Sequence, residues 1–294
     1  MKVLAPITVG VDGSAESDAA VRWAAEEAIR RNCGLLIAAA YDPAPMNLGY
    51  MAVPVDLVTP MQEAAESCLQ LAAELAAQVA KDKRRELTVT SELVCGNPRQ
   101  TLIDLSRRAS TIVVGVRGSD RAPFGLIGST ASALAGHAKC PVTIVHQHPA
   151  TGELTEPVVV VGVDGSPDSA SAIDIAFNEA EMRGATLLAV HAWSEVKMSP
   201  VLDPFRGLDQ TETEKAAAKL LEDELAPYRE RHPNVVVQPH VVRERPVAAI
   251  AEAAEGVELL VVGSRGRGGF TSLLLGSTSH GLLNSVTCPL MIVH

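Results

Sequence analysis

ITVGVDGSAESDAAV, Ile7 to Val21, returns 152 residues later as VVVGVDGSPDSASAI, Val159 to Ile173. Gly10, Asp12, Gly13, Ser14, Ser17 and Ala20 recur as Gly162, Asp164, Gly165, Ser166, Ser169 and Ala172. A second pair closes each half: GSTASALAGHAKCPVTIVH, Gly128 to His146, and GSTSHGLLNSVTCPLMIVH, Gly276 to His294, offset by 148. Two shared blocks in the same order mark a duplicated domain. The predicted domains are residues 1–147 and 157–294, with a linker at 148–156 inside HPATGELTEP, which has no periodicity and two prolines. The length of 294 residues agrees with about two domains at roughly 100 to 200 residues each.

Within each half, short β-branched runs alternate with helical patterns. The first half predicts strands at Ile7 to Val11, Leu35 to Ala40, Leu87 to Val94, Thr111 to Gly115 and Val142 to His146. Helices are predicted at Ser17 to Arg31, Gln62 to Lys83, Pro98 to Ala109 and Ser129 to His137. In the second helix Ala65, Cys68, Leu69, Ala72, Leu75, Ala76 and Val79 recur at spacings of three and four, one apolar face. The second half repeats the order, with strands beginning near Val158, Thr186, Val235, Glu258 and Leu290. Alternating strands and helices, with strands apolar on both faces, specify an α/β fold: two tandem, doubly wound, parallel-sheet domains. Ligands of such sheets sit beyond the carboxyl ends of the strands, where the strand order reverses.

Composition narrows the function. Hydrophobic residues are 47% and charged residues 20% of the chain, a globular balance. Only 9 residues are aromatic, so the cores are built from Ala, Val, Leu and Ile. The net charge of −10 argues against a generic nucleic-acid or anionic-membrane binder, which works by neutralising phosphate with Lys and Arg. It is unevenly placed: 14 Lys+Arg against 15 Asp+Glu in residues 1–150, and 11 against 20 in residues 151–294. The start of the sequence runs straight into a strand pattern, and no apolar run reaches the roughly 18 residues that span a bilayer. A cytoplasmic protein is the expectation. Five widely spaced cysteines without a C-x-x-C pair read as small hydrophobes in a reducing compartment.

Two places carry candidate chemistry. After the fourth strand of each half, the spacing G-x2-G-x9-G-S picks out Gly115, Gly118, Gly128 and Ser129, and again Gly263, Gly266, Gly276 and Ser277. Glycines let a backbone approach a ligand, and a serine opening a helix stands where free amides and the dipole favour phosphate. The alternative is a set of turn glycines with a serine cap. Repetition in equivalent positions favours phosphate. On this reading a bulkier residue at Gly115 or Gly263 weakens binding in its own half and leaves the fold intact. At the end of each first strand stand Asp12 and Asp164. Either can form an Asx-turn or N-cap, or accept from a ribose hydroxyl and hold Mg2+ through water.

There is no G-x-x-x-x-G-K-[ST] loop, dinucleotide fingerprint, nucleophile elbow or H-E-x-x-H motif. The histidines show no ligand spacing; His146 and His294 end strands. VGVDGS in each half, the paired glycine loops and the closing CPVTIVH and CPLMIVH resemble the universal stress protein family over essentially the whole chain, and specifically its ATP-binding subgroup.

The resemblance implies five-stranded sheets of order 3-2-1-4-5 (Rossmann-like) with ATP at the switch point. Asp12 and Asp164 would meet ribose and metal, the backbone at Ala40 and Ala192 would meet adenine, and the glycine–serine loops would hold phosphates. It also implies pairing of the two halves through Val142 to His146 and Leu290 to Val293, leaving a monomer and a loose homodimer as alternatives. The loops differ. Arg265 and Arg267 bring local positive charge to the second, whereas Asp120 and Pro123 mark the first as the weaker site. The implied function is a regulatory stress-response protein, a nucleotide-dependent switch with little or no hydrolysis and with regulatory partners the sequence does not identify. The alternative is a nucleotide-dependent hydrolase or adenylyl-transfer enzyme, using an acid such as Asp42, Asp56, Glu195, Asp203 or Asp209.

Overall fold

The computed structural model describes residues 5–43, 55–118, 127–147, 156–193, 210–267 and 274–294. They fall into two compact units on either side of the 149/150 bond. In the first, strands β1 (Ile7–Gly10), β2 (Leu35–Tyr41), β3 (Val89–Cys95), β4 (Thr111–Gly115) and β5 (Val142–Val145) alternate with helices α1 (Ala15–Arg31), α2 (Val55–Asp82), α3 (Pro98–Leu105) and α4 (Ser129–His137). Every strand pair within the unit is parallel, in the order β3-β2-β1-β4-β5. Ile7 pairs with Leu35 on one side and Thr111 on the other, so the order reverses between β1 and β4.

The second unit repeats this with β6 (Val158–Gly162), α5 (Pro167–Arg183), β7 (Thr186–Trp193), α6 (Gln210–Arg231), β8 (Val237–Arg243), α7 (Pro246–Ala253), β9 (Leu259–Gly263), α8 (Ser277–Ser285) and β10 (Leu290–Val293). Its order, β8-β7-β6-β9-β10, is the same topology, again parallel within the unit.

Alanine sets the closeness of helix to sheet. On α1, Ala20, Val21, Ala24, Ala25 and Ala28 are fully buried against Ile7, Val9, Leu35 and Ile37, with Leu69, Ala72 and Ala76 of α2 beside them. Each Val, Leu or Ile removed from water in this layer contributes about 1.5–3 kcal/mol. The capping residues repeat as well. Ser14 and Ser166 accept from Ser17 N and Ser169 N, each at 3.2 Å, and Asn32 and Gly184 close the helices in the left-handed region at φ 51° and 61°.

Helix α2 starts at Val55, seven residues before the periodic pattern, and runs through Pro60. The apolar stripe used to place the helix begins only after that proline, where α2 meets the sheet. Helix α3 ends at Leu105, short of Ala109. Among the described residues no helix is long and apolar enough to cross a membrane, and all five cysteines are free thiols.

Candidate functional site

At the carboxyl end of β1 the chain turns through Asp12 and Gly13. Gly13 takes φ 77°, which favours glycine, and Gly165 in the second unit takes φ 73°. The carboxylate performs the local task expected of an Asx-turn: Asp12 Oδ1 accepts from Ser14 N, and Asp164 Oδ1 from Ser166 N, both at 3.0 Å. The other oxygen points across the switch point. Asp164 Oδ2 accepts from Arg267 N at 3.1 Å, and a Cβ on Gly266 would overlap that oxygen, as one on Gly118 would overlap Asp12 Oδ2. In the second unit the aspartate therefore fastens the loop after β9 to the turn after β6, and in the first Asp12 Oδ2 stands against Gly118 of the loop after β4.

The glycine loops close on themselves. Gly128 N donates to Val116 O at 2.9 Å, and Gly276 N to Ser264 O at 2.8 Å. A Cβ on Gly128 would lie 3.2 Å from Arg117 Cα, and one on Gly276 3.3 Å from Arg265 Cα. Gly128 and Gly276 are also the N-caps of α4 and α8, and neither helix receives a side-chain cap bond, unlike α1 and α5. The first amides of α4 and α8, starting at Ser129 and Ser277, thus lack an acceptor from a cap side chain, the arrangement that suits an anion.

Gly115 and Gly263 answer to a different constraint from the one the sequence implies. A Cβ on Gly115 would stand 2.7 Å from the Glu16 carbonyl carbon and 2.9 Å from its oxygen; on Gly263 it would stand 2.8 Å from the Asp168 carbonyl carbon. What presses on these strand ends is the first turn of α1 or α5. The expectation that a bulkier residue leaves the fold intact is corrected accordingly.

In the first unit these pieces surround a cavity of about 820 Å³. Asp12, Gly115, Gly118, Gly128 and Ser129 line it, with Ala38, Ala39 and Ala40 forming an apolar wall and Tyr41, Asp42 and Cys68 completing it. Ala192 stands next to last in β7, in the register that Ala40 occupies in β2, pairing with Val242 as Ala40 pairs with Val94. The acid candidates divide: Asp42 lies at the cavity, whereas the Asp56 side chain, Glu195, Asp203 and Asp209 lie outside the described residues. So do Asp120 and Pro123, the residues that set the first loop apart in the sequence.

Several contacts of the site carried no sequence signal. Arg117 pairs with Glu16 at 3.2 Å, and Arg265 with Asp168 Oδ2 at 3.2 Å, an oxygen that also accepts from Ser264 Oγ at 2.9 Å. One arginine of each loop is therefore held by the first turn of the neighbouring helix. Cys68 looked like one more member of an apolar stripe, yet its Sγ lies 2.8 Å from the place a Cβ on Gly13 would occupy. Burial, then Asp12 and Asp18, push its thiol up. His146, just past β5, is pushed down by burial and then by Arg117, with Glu16 opposing. His191 is buried in β7, its Nδ1 2.7 Å from Val163 O.

Among the described residues no three His, Cys, Asp or Glu side chains gather as a metal site. The carboxylates of Asp12 and Asp164 still fit Mg2+, which binds through one or two carboxylates plus water and substrate phosphates.

The model of the universal stress protein family matches residues 5–146 and again residues 157–294. A universal stress protein of Mycobacterium bovis is 37% identical over 289 residues, covering 97% of this chain and 96% of the relative. One of Mycolicibacterium smegmatis is 39% identical over 297 residues, covering 98% and 96%. Among solved structures, a universal stress protein from Archaeoglobus fulgidus superposes with a TM-score of 0.70 at 20% identity, over 99% of this chain and 97% of that one, a likeness of fold.

Proposed function

The chain belongs to the universal stress protein family, and on that premise we propose that it is a regulatory protein whose switch is the binding of ATP with Mg2+ at the carboxyl edge of its sheets. The observation that carries the reading is the cavity of the first unit. An α-helix whose glycine cap offers no acceptor opens into it, beside Asp12 and an alanine wall. Amides at the start of α4 would take phosphate oxygens, and Ser129 would add a hydroxyl donor. The backbone at Ala40 would meet the adenine edge, with the small side chains of β2 leaving room for the ring. Asp12 lines the cavity, where its carboxylate would accept from a ribose hydroxyl or a metal-bound water. Gly263, Gly266, Gly276, Ser277, Asp164 and Ala192 would play the same parts in the second unit.

Little or no hydrolysis belongs to this reading, as does work in the cytoplasm, where five unpaired thiols are at home. Equilibrium dialysis against ATP with Mg2+ tests it: at least one equivalent per chain is expected, and a Gly118→Val chain, which would drive a side chain into Asp12, should lose binding in the first unit. The second reading, a nucleotide hydrolase, is favoured by one observation, the carboxylate of Asp42 at the cavity. Sustained turnover at about 1 s⁻¹ or faster, abolished by Asp42→Asn, would establish it in place of the switch.

A further inference from the structure

Among the described residues, the two units differ beside the turn that follows their first strand. In the second, the guanidinium of Arg267 lies on Gly165, so close that a Cβ there would overlap it. In the first, the equivalent Gly13 is covered by the Cys68 thiol from α2. Among the described residues, the same spot beside the same aspartate thus holds a full positive charge in one unit and a neutral sulfur in the other. Arg265 does not supply this charge, because Asp168 holds it at 3.2 Å, just as Glu16 holds Arg117. Arg267 forms no ion pair with a described residue, and its exposed side chain is anchored at its base by the bond from its N to Asp164 Oδ2 at 3.1 Å. Gly276, the cap of α8, lies against Gly266 and Arg265 in the same loop, with a Cβ there 3.5 Å from Gly266 N.

From this geometry, and resting on the nucleotide-binding reading above, we propose that Arg267 makes the second site selective for phosphorylation state, preferring nucleoside triphosphates to monophosphates. Among the described residues of the first site, Cys68 occupies that position. On this proposal a monophosphate would engage the helix terminus and not Arg267. The β- and γ-phosphates of a triphosphate add negative charge that a neighbouring cation attracts and a thiol does not. A single partly screened charge contact accounts for about a tenfold difference in affinity.

Trp23 and Trp193 are the only tryptophans, and Trp193 directly follows Ala192 at the end of β7. In a Trp23→Phe, Gly118→Val background, which disables the first site, energy transfer from Trp193 to N-methylanthraniloyl derivatives of ATP and AMP reads the second site. Arg267→Gln should raise the ATP dissociation constant about tenfold, leave that of AMP within about twofold, and flatten the salt dependence of ATP binding. Arg267→Lys, which keeps the charge, should restore most of the preference. Equal losses for ATP and AMP, or an unchanged ratio, would overturn the proposal while leaving nucleotide binding intact. Dialysis showing no nucleotide on the unmodified chain would overturn the underlying reading and this proposal with it.

Discussion

Replacing Gly115 with alanine adds one methyl group against an immovable neighbour. Its Cβ would lie 2.7 Å from the carbonyl carbon of Glu16, against about 3.5 Å for an ordinary carbon contact, a shortfall of roughly 0.8 Å. The obstructing atoms are backbone, so relief requires moving the first turn of α1. That turn is tied down by Ser14, which caps it and donates its own amide to Asp12, and by the pairing of Glu16 with Arg117. Overpacking of this kind costs about 1–3 kcal/mol. At about 2 kcal/mol, the unfolding midpoint of a unit this size falls by roughly 4–8 °C. Differential scanning calorimetry without ligand measures it, with Gly34→Ala as control. At Gly34 the added carbon meets nothing nearer than 3.6 Å, so the control should be neutral or slightly stabilising. A Gly115→Ala midpoint within 1 °C of the unmodified chain would refute the argument, as would equal shifts in both variants.

Asp164→Asn leaves one oxygen to serve two amides, those of Ser166 and Arg267, so about 1–3 kcal/mol of stability should be lost along with ATP affinity, read by thermal melts with and without nucleotide. An unchanged apo midpoint would contradict the clamp. His146 is pushed below its ordinary pKa by burial, so the folded state favours the neutral ring; stability should be full above about pH 6.5 and fall as acid protonates the unfolded form more readily. Urea titrations from pH 7.5 to 5 should show this slope, and His146→Gln should flatten it. The thiols of Cys140 and Cys288 are both pushed up to about 12 by burial, so iodoacetamide at pH 8 should modify exposed Cys95 in the native protein and spare those two until denaturant is added, as peptide mass mapping would show.

The topology was legible because duplication repeated it: the same turn and loop motifs at the same stations force the same connections twice. The glycine spacing likewise located the loops. Its physical cause was not legible at Gly115, whose constraint comes from Glu16, a residue 99 positions earlier that only the packed fold brings alongside. The same holds for Cys68 and Arg267, which cover equivalent turns from α2 and from the loop after β9, two places no alignment of the halves would match. The start of α2 was hidden by Pro60, since the apolar stripe reports only the turns of a helix that pack on the sheet.

Whether the carboxyl edge of these sheets holds ATP is decided by equilibrium dialysis of the full chain against millimolar ATP and Mg2+, with bound nucleotide quantified per chain. At least one equivalent should be retained, reduced by Gly118→Val; no bound nucleotide on the folded chain would contradict ATP binding at this edge.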